Sequence, residues 1–254
     1  NGAPDRPFGR QESFKQRLGL SGRKVLTTFG LLGPGKGLET AISALPAIVD
    51  RHPGVLYRIV GATHPCLVAA EGEAYREKLE ALAEELGVAD HIAWENRFLE
   101  AGELLDQLEA CDIYIMPYPG LHQSTSGTLS YGVALGKAVV STPFAHAREL
   151  LADDVGVLVE PGSHQAIAQA VNRLLDAPDE LAAMQRKAYG RGRGTSWPRF
   201  ADASARLVTS VLPPRMEMPP LGTVPGLSAV LAMSDGTGML QHSVGIVPDR
   251  SHGY

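Results

Sequence analysis

Cysteine is scarce in this sequence of 254 residues, since only Cys66 and Cys111 are present. Neither has a spacing typical of a metal ligand, and both are interpreted as free thiols of a cytoplasmic protein rather than as a disulfide. Long apolar runs are missing as well, because none approaches the ~20 residues that a membrane-spanning helix requires. The first residues lack the pattern of a signal peptide, and both ends are expected to be cut from a longer protein.

An excess of basic charge is also missing. The 23 lysines and arginines are outnumbered by 28 acidic residues, and the net charge is −5. No basic block occurs along the chain, so no nucleic-acid partner is expected. Hydrophobic residues make up 44% of the sequence, which is enough for one large domain, or for one domain and a fragment of another.

Short apolar runs alternate with helix-like segments six times along the chain. The runs are apolar throughout, which is typical of strands covered on both faces, and this predicts an α/β fold with a Rossmann-like parallel sheet flanked by helices. Ligands of such folds bind at the carboxyl ends of the strands. A loop containing His64 and Pro65 is predicted after the second strand. Strands are predicted at 24–29, 55–60, 91–94, 112–117, 138–141 and 156–160, and helices at 11–18, 38–51, 73–86, 99–110, 127–135, 145–151, 163–176, 178–190 and 199–211.

The composition of the sequence changes near residue 212. The residues before this point, 1–212, are predicted to form one domain. Residues 213–225 are rich in proline and are interpreted as a linker. Residues 226–254 form an irregular C-terminal tail that is too short for a stable core, so they are interpreted as a fragment of a following domain.

The first glycine-rich turn follows the first predicted strand and extends from Gly30 to Gly37. It fits the first part of the phosphate-binding pattern G-x-x-x-x-G-K, but Gly37 stands where that pattern needs Ser or Thr to hold magnesium. A P-loop ATPase is therefore disfavoured. Two interpretations remain: a backbone turn that approaches a phosphate with Lys36 as its cation, or a flexible turn with a solvated lysine.

A second loop, from Gln123 to Tyr131, follows the fourth predicted strand and leads into a helix of small residues. Helix N-termini have unpaired N–H groups and about half a positive charge, so a loop rich in hydroxyls at this point suits an anion such as phosphate. The plainer interpretation is that Thr125 or Ser126 simply caps the helix. The presence of two anion-suited turns at strand ends favours phosphate binding.

The two turns together resemble the C-terminal, donor-binding domain of retaining GT-B glycosyltransferases of family 4. The resemblance rests on the pattern G-x-L-x-x-x-K-G at 30–37 and on the Gly/Ser loop with the following G-K-x-V-V at 136–140, and it covers roughly residues 1–212. It implies a GT-B C-terminal half that binds a nucleotide diphosphate-sugar, with Lys36 on the diphosphate. It also implies that the 124–129 loop donates to the same phosphates and that the 97–98 loop lies beside the nucleobase. The closing helix would cross to a partner domain.

The substrate-binding candidates are Gly30, Gly35, Gly37, Gly61, Arg97, Phe98, Gln123, Ser124, Thr125, Ser126, Gly127, Thr128, Leu129 and Tyr131, with Lys36 as the catalytic candidate.

Three positions depart from the family pattern. Gln123 and Tyr131 stand where the family usually has glutamates that contact the donor sugar and the ribose, and Leu31 replaces an arginine. Both Gln123 and Tyr131 still offer hydrogen bonds, but neither is charged. The departures do not remove the two predicted phosphate-binding turns, but they leave the identity of the sugar open.

The chemistry follows from the charge of the leaving group. Breaking a sugar–phosphate bond leaves negative charge on a nucleoside diphosphate, and the sequence has no Asp-x-Asp pair of the kind with which many transferases hold a metal. Lys36 and the helix N-terminus at Gly127 and Thr128 are therefore expected to stabilise this charge without a metal or cofactor. The resemblance implies a hexosyl-type transferase that needs an N-terminal acceptor domain for activity. A non-catalytic nucleotide-sugar-binding module is the alternative.

The remaining candidates carry weaker signals. His122 and His146 lie near the second loop in the sequence, although a lone histidine is more often structural. Trp94 and Trp197 are expected in the core. The 235–254 segment is similar to the opening of a helical, glycosidase-like domain, which the resemblance would place after the transferase.

Overall fold

The computed structural model describes residues 2–211 of the chain. One compact unit extends through Leu207. The predicted linker at 213–225 and the predicted fragment at 226–254 lie outside the described residues, so the division near residue 212 stays a prediction.

Six parallel strands form one sheet in the described part of the chain, in the order β3-β2-β1-β4-β5-β6. Between β1 and β2, all six residue pairs from Lys24↔Val55 to Phe29↔Val60 are in register. The Rossmann-like parallel sheet predicted from the sequence is confirmed. The strands are β1 Lys24–Phe29, β2 Val55–Val60, β3 Ile92–Glu95, β4 Ile113–Met116, β5 Ala138–Ser141 and β6 Gly156–Leu158.

Helices cover both faces of this sheet. On one face Tyr57 and Ile59 pack in the cluster that includes Ile42 and Leu79, while Val60 faces the other cluster. This burial on both sides explains why the strands are apolar throughout. The helices are α1 Gln11–Arg17, α2 Leu38–Arg51, α3 Pro65–Glu71, α4 Ala74–Glu85, α5 Ala101–Glu109, α6 Gly127–Ala134, α7 Ala145–Leu150, α8 His164–Asp176, α9 Pro178–Gly192 and α10 Trp197–Val211.

The strand order places a crevice next to β1. From β1 the chain proceeds outward through β2 to β3, whereas β4, β5 and β6 extend from the other side of β1. The loops after β1 and β4 therefore diverge at the carboxyl ends of two adjacent strands. Such a topological switch point is where open α/β sheets bind ligands.

The predicted loop ends sooner than expected, because His64 is the N-cap of α3 and Pro65 is the first residue of this helix. Pro65 occupies the first turn of this helix, and the backbone N–H of Cys66 donates to Nδ1 of His64. A proline at this position costs no hydrogen bond, and the histidine supplies the cap. The last strand is also shorter than predicted, since β6 ends at Leu158 rather than Glu160.

The two tryptophans differ from each other in burial. Trp94 is partly buried and packs against the core, as expected. The expectation for Trp197 is wrong, because its side chain is 51% exposed on α10 and meets the ring of Phe200 edge-on at 6.0 Å. No helix among residues 2–211 is long and apolar enough to cross a bilayer.

Candidate functional site

The turn after β1 is built by backbone bonds to the turn after β2. The N–H of Gly30 donates to Val60 O, and the N–H of Leu32 donates to Ala62 O. Gly30 and Gly61 both have positive φ, and a Cβ on Gly61 would lie 2.2 Å from Gly30 O. The two turns thus require glycine in order to pack against each other. The candidates Gly30 and Gly61 therefore lie in one crevice wall.

A short 3₁₀ turn, Pro34–Lys36, closes this loop and directs Lys36 toward β4. The next residue, Gly37, is left-handed with φ 64°, and a Cβ there would lie 2.0 Å from the backbone oxygen of Pro117. Serine or threonine cannot occupy this place without displacing the end of β4. The P-loop interpretation, which needs one of them, is therefore opposed by the packing as well as by the sequence.

The loop after β4 ends in a capped helix. Ser126 is the N-cap of α6, and its Oγ accepts from the N–H of Leu129 at 3.2 Å. The capping interpretation is right for Ser126, whereas Thr125 and Ser124 are exposed on the loop. The N–H of Leu129 is already bonded and its side chain is buried, so Leu129 is a poor phosphate donor. Helix geometry leaves Gly127 and Thr128 without intrahelical acceptors for their N–H groups.

Replacing Ser126 by alanine should lower the free energy of unfolding by about 1 kcal/mol, because the N-cap bond to Leu129 is lost. For a domain of this size the melting temperature should fall by about 2–4 °C. Ser124→Ala is the matched control, since Ser124 is exposed on the same loop. Thermal unfolding of both variants, followed by circular dichroism, measures the difference, and equal melting temperatures would contradict the assignment of the cap.

Tyr118 joins the two predicted anion-binding turns, and sequence reasoning missed it. Nζ of Lys36 donates to the Tyr118 hydroxyl at 2.8 Å, and the same hydroxyl lies 3.0 Å from Oγ1 of Thr128. The Tyr118 ring stacks on Phe144, with ring centroids 5.4 Å apart. The cation of the first turn and the helix start of the second turn therefore face a single point.

A cavity of about 90 Å³ opens between the turns after β1 and β2 and the loop after β3. Its walls include Gly30, Gly61, Arg97 and Phe98, which the sequence placed at strand ends. Phe98 is 79% exposed. Arg97 is not a free cation, because its guanidinium bonds Glu103 and its Nε donates to Glu95 at 2.6 Å. These bonds raise the pKa of Arg97 above the ordinary range.

A second, open cavity of about 400 Å³ lies in front of Lys36. Gln123 and Tyr118 line it together with Gly35, and so does His64, which no sequence signal identified as a site residue. The amide nitrogen of Gln123 donates to Thr125 O at 2.9 Å within its own loop. Gln123 therefore lies at the mouth of this cavity with its amide oxygen available to a ligand.

The other candidates near the second loop differ in their contacts and in their burial. Nδ1 of His146 accepts the N–H of Ser126 at 2.9 Å, whereas His122 is exposed. Tyr131 is half-buried, and its ring lies 6.1 Å from that of Phe29. Residues 2–211 contain no group of three or more His, Cys, Asp or Glu side chains that is arranged to hold a metal ion.

This arrangement defines the class of the protein as a Rossmann-like α/β domain with a crevice at its topological switch point, between the turns after β1 and β4. Residues 10–191 match the family described as glycosyl transferases group 1. Because the match covers most of the chain, the chain belongs to this family.

Two relatives illustrate the family. Over 188 residues the chain is 33% identical to a GDP-mannose-dependent alpha-(1-6)-phosphatidylinositol monomannoside mannosyltransferase of Mycolicibacterium smegmatis, with 72% of this chain and 46% of the relative covered. It is 28% identical over 210 residues to a D-inositol 3-phosphate glycosyltransferase of Streptomyces griseus, with 81% and 43% covered. The chain therefore spans about half the length of these relatives.

Solved structures of glycosyltransferases have the same fold. Anabaena HepE in complex with UDP and glucose superposes with a TM-score of 0.71 at 20% identity, over 84% of this chain and 56% of HepE. The C-terminal domain of the group 1 glycosyl transferase LpcC from Francisella tularensis superposes with a TM-score of 0.64 at 20% identity, over 73% of this chain and 92% of that one. The structural neighbours of this chain are GT-B glycosyltransferases.

Proposed function

We propose that this chain is the C-terminal, donor-binding domain of a retaining GT-B glycosyltransferase of family 4. The complete enzyme transfers a hexosyl group from a nucleotide diphosphate-sugar to an acceptor. One observation carries the proposal: Nζ of Lys36 and Oγ1 of Thr128 contact the same hydroxyl, that of Tyr118. A pyrophosphate at this point meets a cation on one side and a helix N-terminus on the other.

The same two groups account for catalysis without a metal. As the bond between sugar and phosphate breaks, negative charge develops on the departing nucleoside diphosphate. The ammonium of Lys36 and the N–H groups of Gly127 and Thr128 are already oriented toward that charge, and such preorganised donors lower the barrier without reorganising during the reaction. Retention at the anomeric carbon rests on the family resemblance.

The proposal places the two parts of the donor in the two cavities. We propose that the base lies beside Arg97 and Phe98, and that Gln123, at the mouth of the larger cavity, hydrogen-bonds the sugar. The M. smegmatis relative uses GDP-mannose, which makes GDP-mannose the first donor to test.

An N-terminal acceptor domain of the same protein completes the site. The chain spans about half of its relatives, and α10 exposes Trp197 and Phe200 on one side. We assign this apolar side of α10 to contact with the acceptor domain. Hydrogen exchange tests this assignment, because the α10 amides should be more protected in the complete protein than in this chain. Equal protection would oppose it.

Thermal shift with nucleotide sugars tests the function directly. A UDP-, GDP- or ADP-sugar at 100 times its dissociation constant should stabilise the chain by about 2.7 kcal/mol, and the chain alone should show no multiple turnover. At the same donor concentration a Lys36→Ala variant should show a smaller shift, because its diphosphate cation is gone and only the α6 N-terminus remains. Absence of any shift with all three donor classes would exclude donor binding.

The alternative function is a non-catalytic nucleotide-sugar-binding module. It is favoured by Gln123 and Tyr131, which place no charge where the family usually has glutamates. Both functions require the two phosphate-binding turns, at 30–37 and 123–131, so a measurement of nucleotide-sugar binding does not distinguish them. Transfer activity of the complete protein does, since a binding module would show none.

A further inference from the structure

The backbone N–H of Ser126 donates to Nδ1 of His146 at 2.9 Å. The two residues come from different elements, because Ser126 ends the loop after β4 and His146 lies in α7, which follows β5. A backbone N–H can only donate, so Nδ1 must be the unprotonated nitrogen, and the proton of the neutral ring is then on Nε2. The bond assigns a specific tautomer to His146.

The surroundings of His146 favour this neutral form. Burial lowers the pKa of His146, and the Glu149 carboxylate acts in the opposite direction. Ser126 itself is only 4% exposed, so water is a poor substitute for the imidazole as acceptor of its N–H. An unsatisfied buried N–H costs about 1–3 kcal/mol. The bond to His146 therefore restrains the loop at this point.

Ser126 is also one end of a chain of hydrogen bonds that reaches Lys36, the catalytic candidate. Its Oγ lies 3.0 Å from Oγ1 of Thr128, and Thr128 meets the Tyr118 hydroxyl that accepts from Lys36. The other bonds of Ser126, from Leu129 and Ser130, are internal to α6. His146 is the partner that fixes Ser126 relative to a neighbouring element, so it controls where the start of α6 points.

We propose that His146 is a positioning residue for the donor diphosphate. By accepting the N–H of Ser126 it sets the direction of the N–H groups of Gly127 and Thr128, and it does so without contacting the reacting atoms. This inference rests on the proposed function, because it assumes that those N–H groups receive a phosphate. A merely structural histidine would contribute to stability but not to nucleotide affinity.

Three substitutions of His146 separate these roles. His146→Asn places an amide oxygen on Cγ, where Nδ1 is attached, so it retains an acceptor for the Ser126 N–H. His146→Gln carries its oxygen one bond further away, and His146→Leu has no acceptor. His91→Leu is the matched control, because His91 is also half-buried and bonds the backbone through Nδ1, to Val55 O at 3.0 Å, at the amino ends of β2 and β3.

Binding of GDP, UDP and ADP to the whole 254-residue chain is measured by calorimetry, with the melting temperature of each variant recorded in parallel. For the nucleotide that binds the unaltered chain most tightly, we expect His146→Leu and His146→Gln to weaken affinity by about tenfold or more. His146→Asn should stay within about threefold. His91→Leu should lower the melting temperature at most, with affinity unchanged.

The outcomes distinguish failure of the proposed donor binding from failure of the positioning role of His146. If the unaltered chain binds none of the three nucleotides, the proposed function and the positioning role both fail. If it binds and His146→Leu binds equally well, the positioning role alone is overturned. If His146→Leu does not fold, the comparison of Asn with Gln decides, because equal affinity of these two variants would also overturn the role.

Discussion

Replacing Lys36 by alanine in the complete enzyme is expected to lower the turnover number by about 10²–10³-fold, which corresponds to about 2.7–4 kcal/mol of lost transition-state stabilisation. The reason is that Lys36 supplies the positive side chain that faces the Tyr118 hydroxyl and the α6 N-terminus. Steady-state kinetics with saturating donor measures this loss. Circular dichroism should show an intact fold, because the substitution removes a single partly buried hydrogen bond, from Nζ to the hydroxyl of Tyr118.

Lys24→Ala is the control for this experiment. Lys24 is an exposed lysine that begins β1, the strand that leads into the Lys36 turn, and it lies at the opposite end of the sheet. The control should retain full turnover. Turnover of Lys36→Ala within a few-fold of the unaltered enzyme would remove Lys36 from the mechanism, and the α6 N-terminus would then have to stabilise the leaving group alone.

Replacing Gly37 by alanine is expected to destabilise the domain by about 2–5 kcal/mol. A non-glycine residue in the left-handed conformation costs roughly 1–2 kcal/mol, and forcing atoms into a packed site typically costs about 1–3 kcal/mol more. Both costs apply here, because Gly37 has φ 64° and its added Cβ would lie 2.0 Å from Pro117 O. Urea denaturation, read as a change in the midpoint, measures the loss.

Gly35→Ala provides the matched control in the same turn. A Cβ on Gly35 meets no atom within 4 Å, and its φ is not in the left-handed region. Its free energy of unfolding should change by well under 1 kcal/mol. Equal destabilisation by the two substitutions would mean that the turn as a whole, and not the contact between Gly37 and Pro117, limits what can be placed there. Gly37→Ser should be as harmful as Gly37→Ala, so it should not create an ATPase.

The strands were the most predictable part of the fold. The prediction for β2, at 55–60, coincides with the observed strand because every residue of Val55–Val60 is buried and the run is therefore apolar throughout. The β6 prediction was two residues too long, and in this strand Leu158 is 41% exposed. The helix α3 was predicted as a loop. Its short run at 66–70 is apolar throughout and not at helical spacing, and none of its residues is fully buried.

The closeness of the two glycine-rich turns was predictable, but the contact that joins them was not. Strand ends of a parallel sheet share one edge, so the sequence predicts that Lys36 and Thr128 lie near each other. Their common contact with Tyr118 had no signal in the sequence, because it depends on how the loop after β4 folds back. The expected donor role of Leu129 stays a prediction, although the side chain of Ser126 already accepts its N–H.

The sequence alone determined three features: the alternation of strands and helices, the two glycine-rich turns, and the absence of a magnesium-holding hydroxyl at Gly37. Each of them depends only on neighbours along the chain. The strand order, the contact of Gly37 with Pro117 and the bond between His146 and Ser126 emerged only in the folded chain. Each of them joins segments that are distant in sequence. Such contacts depend on packing across the sheet, which no local pattern of residues encodes.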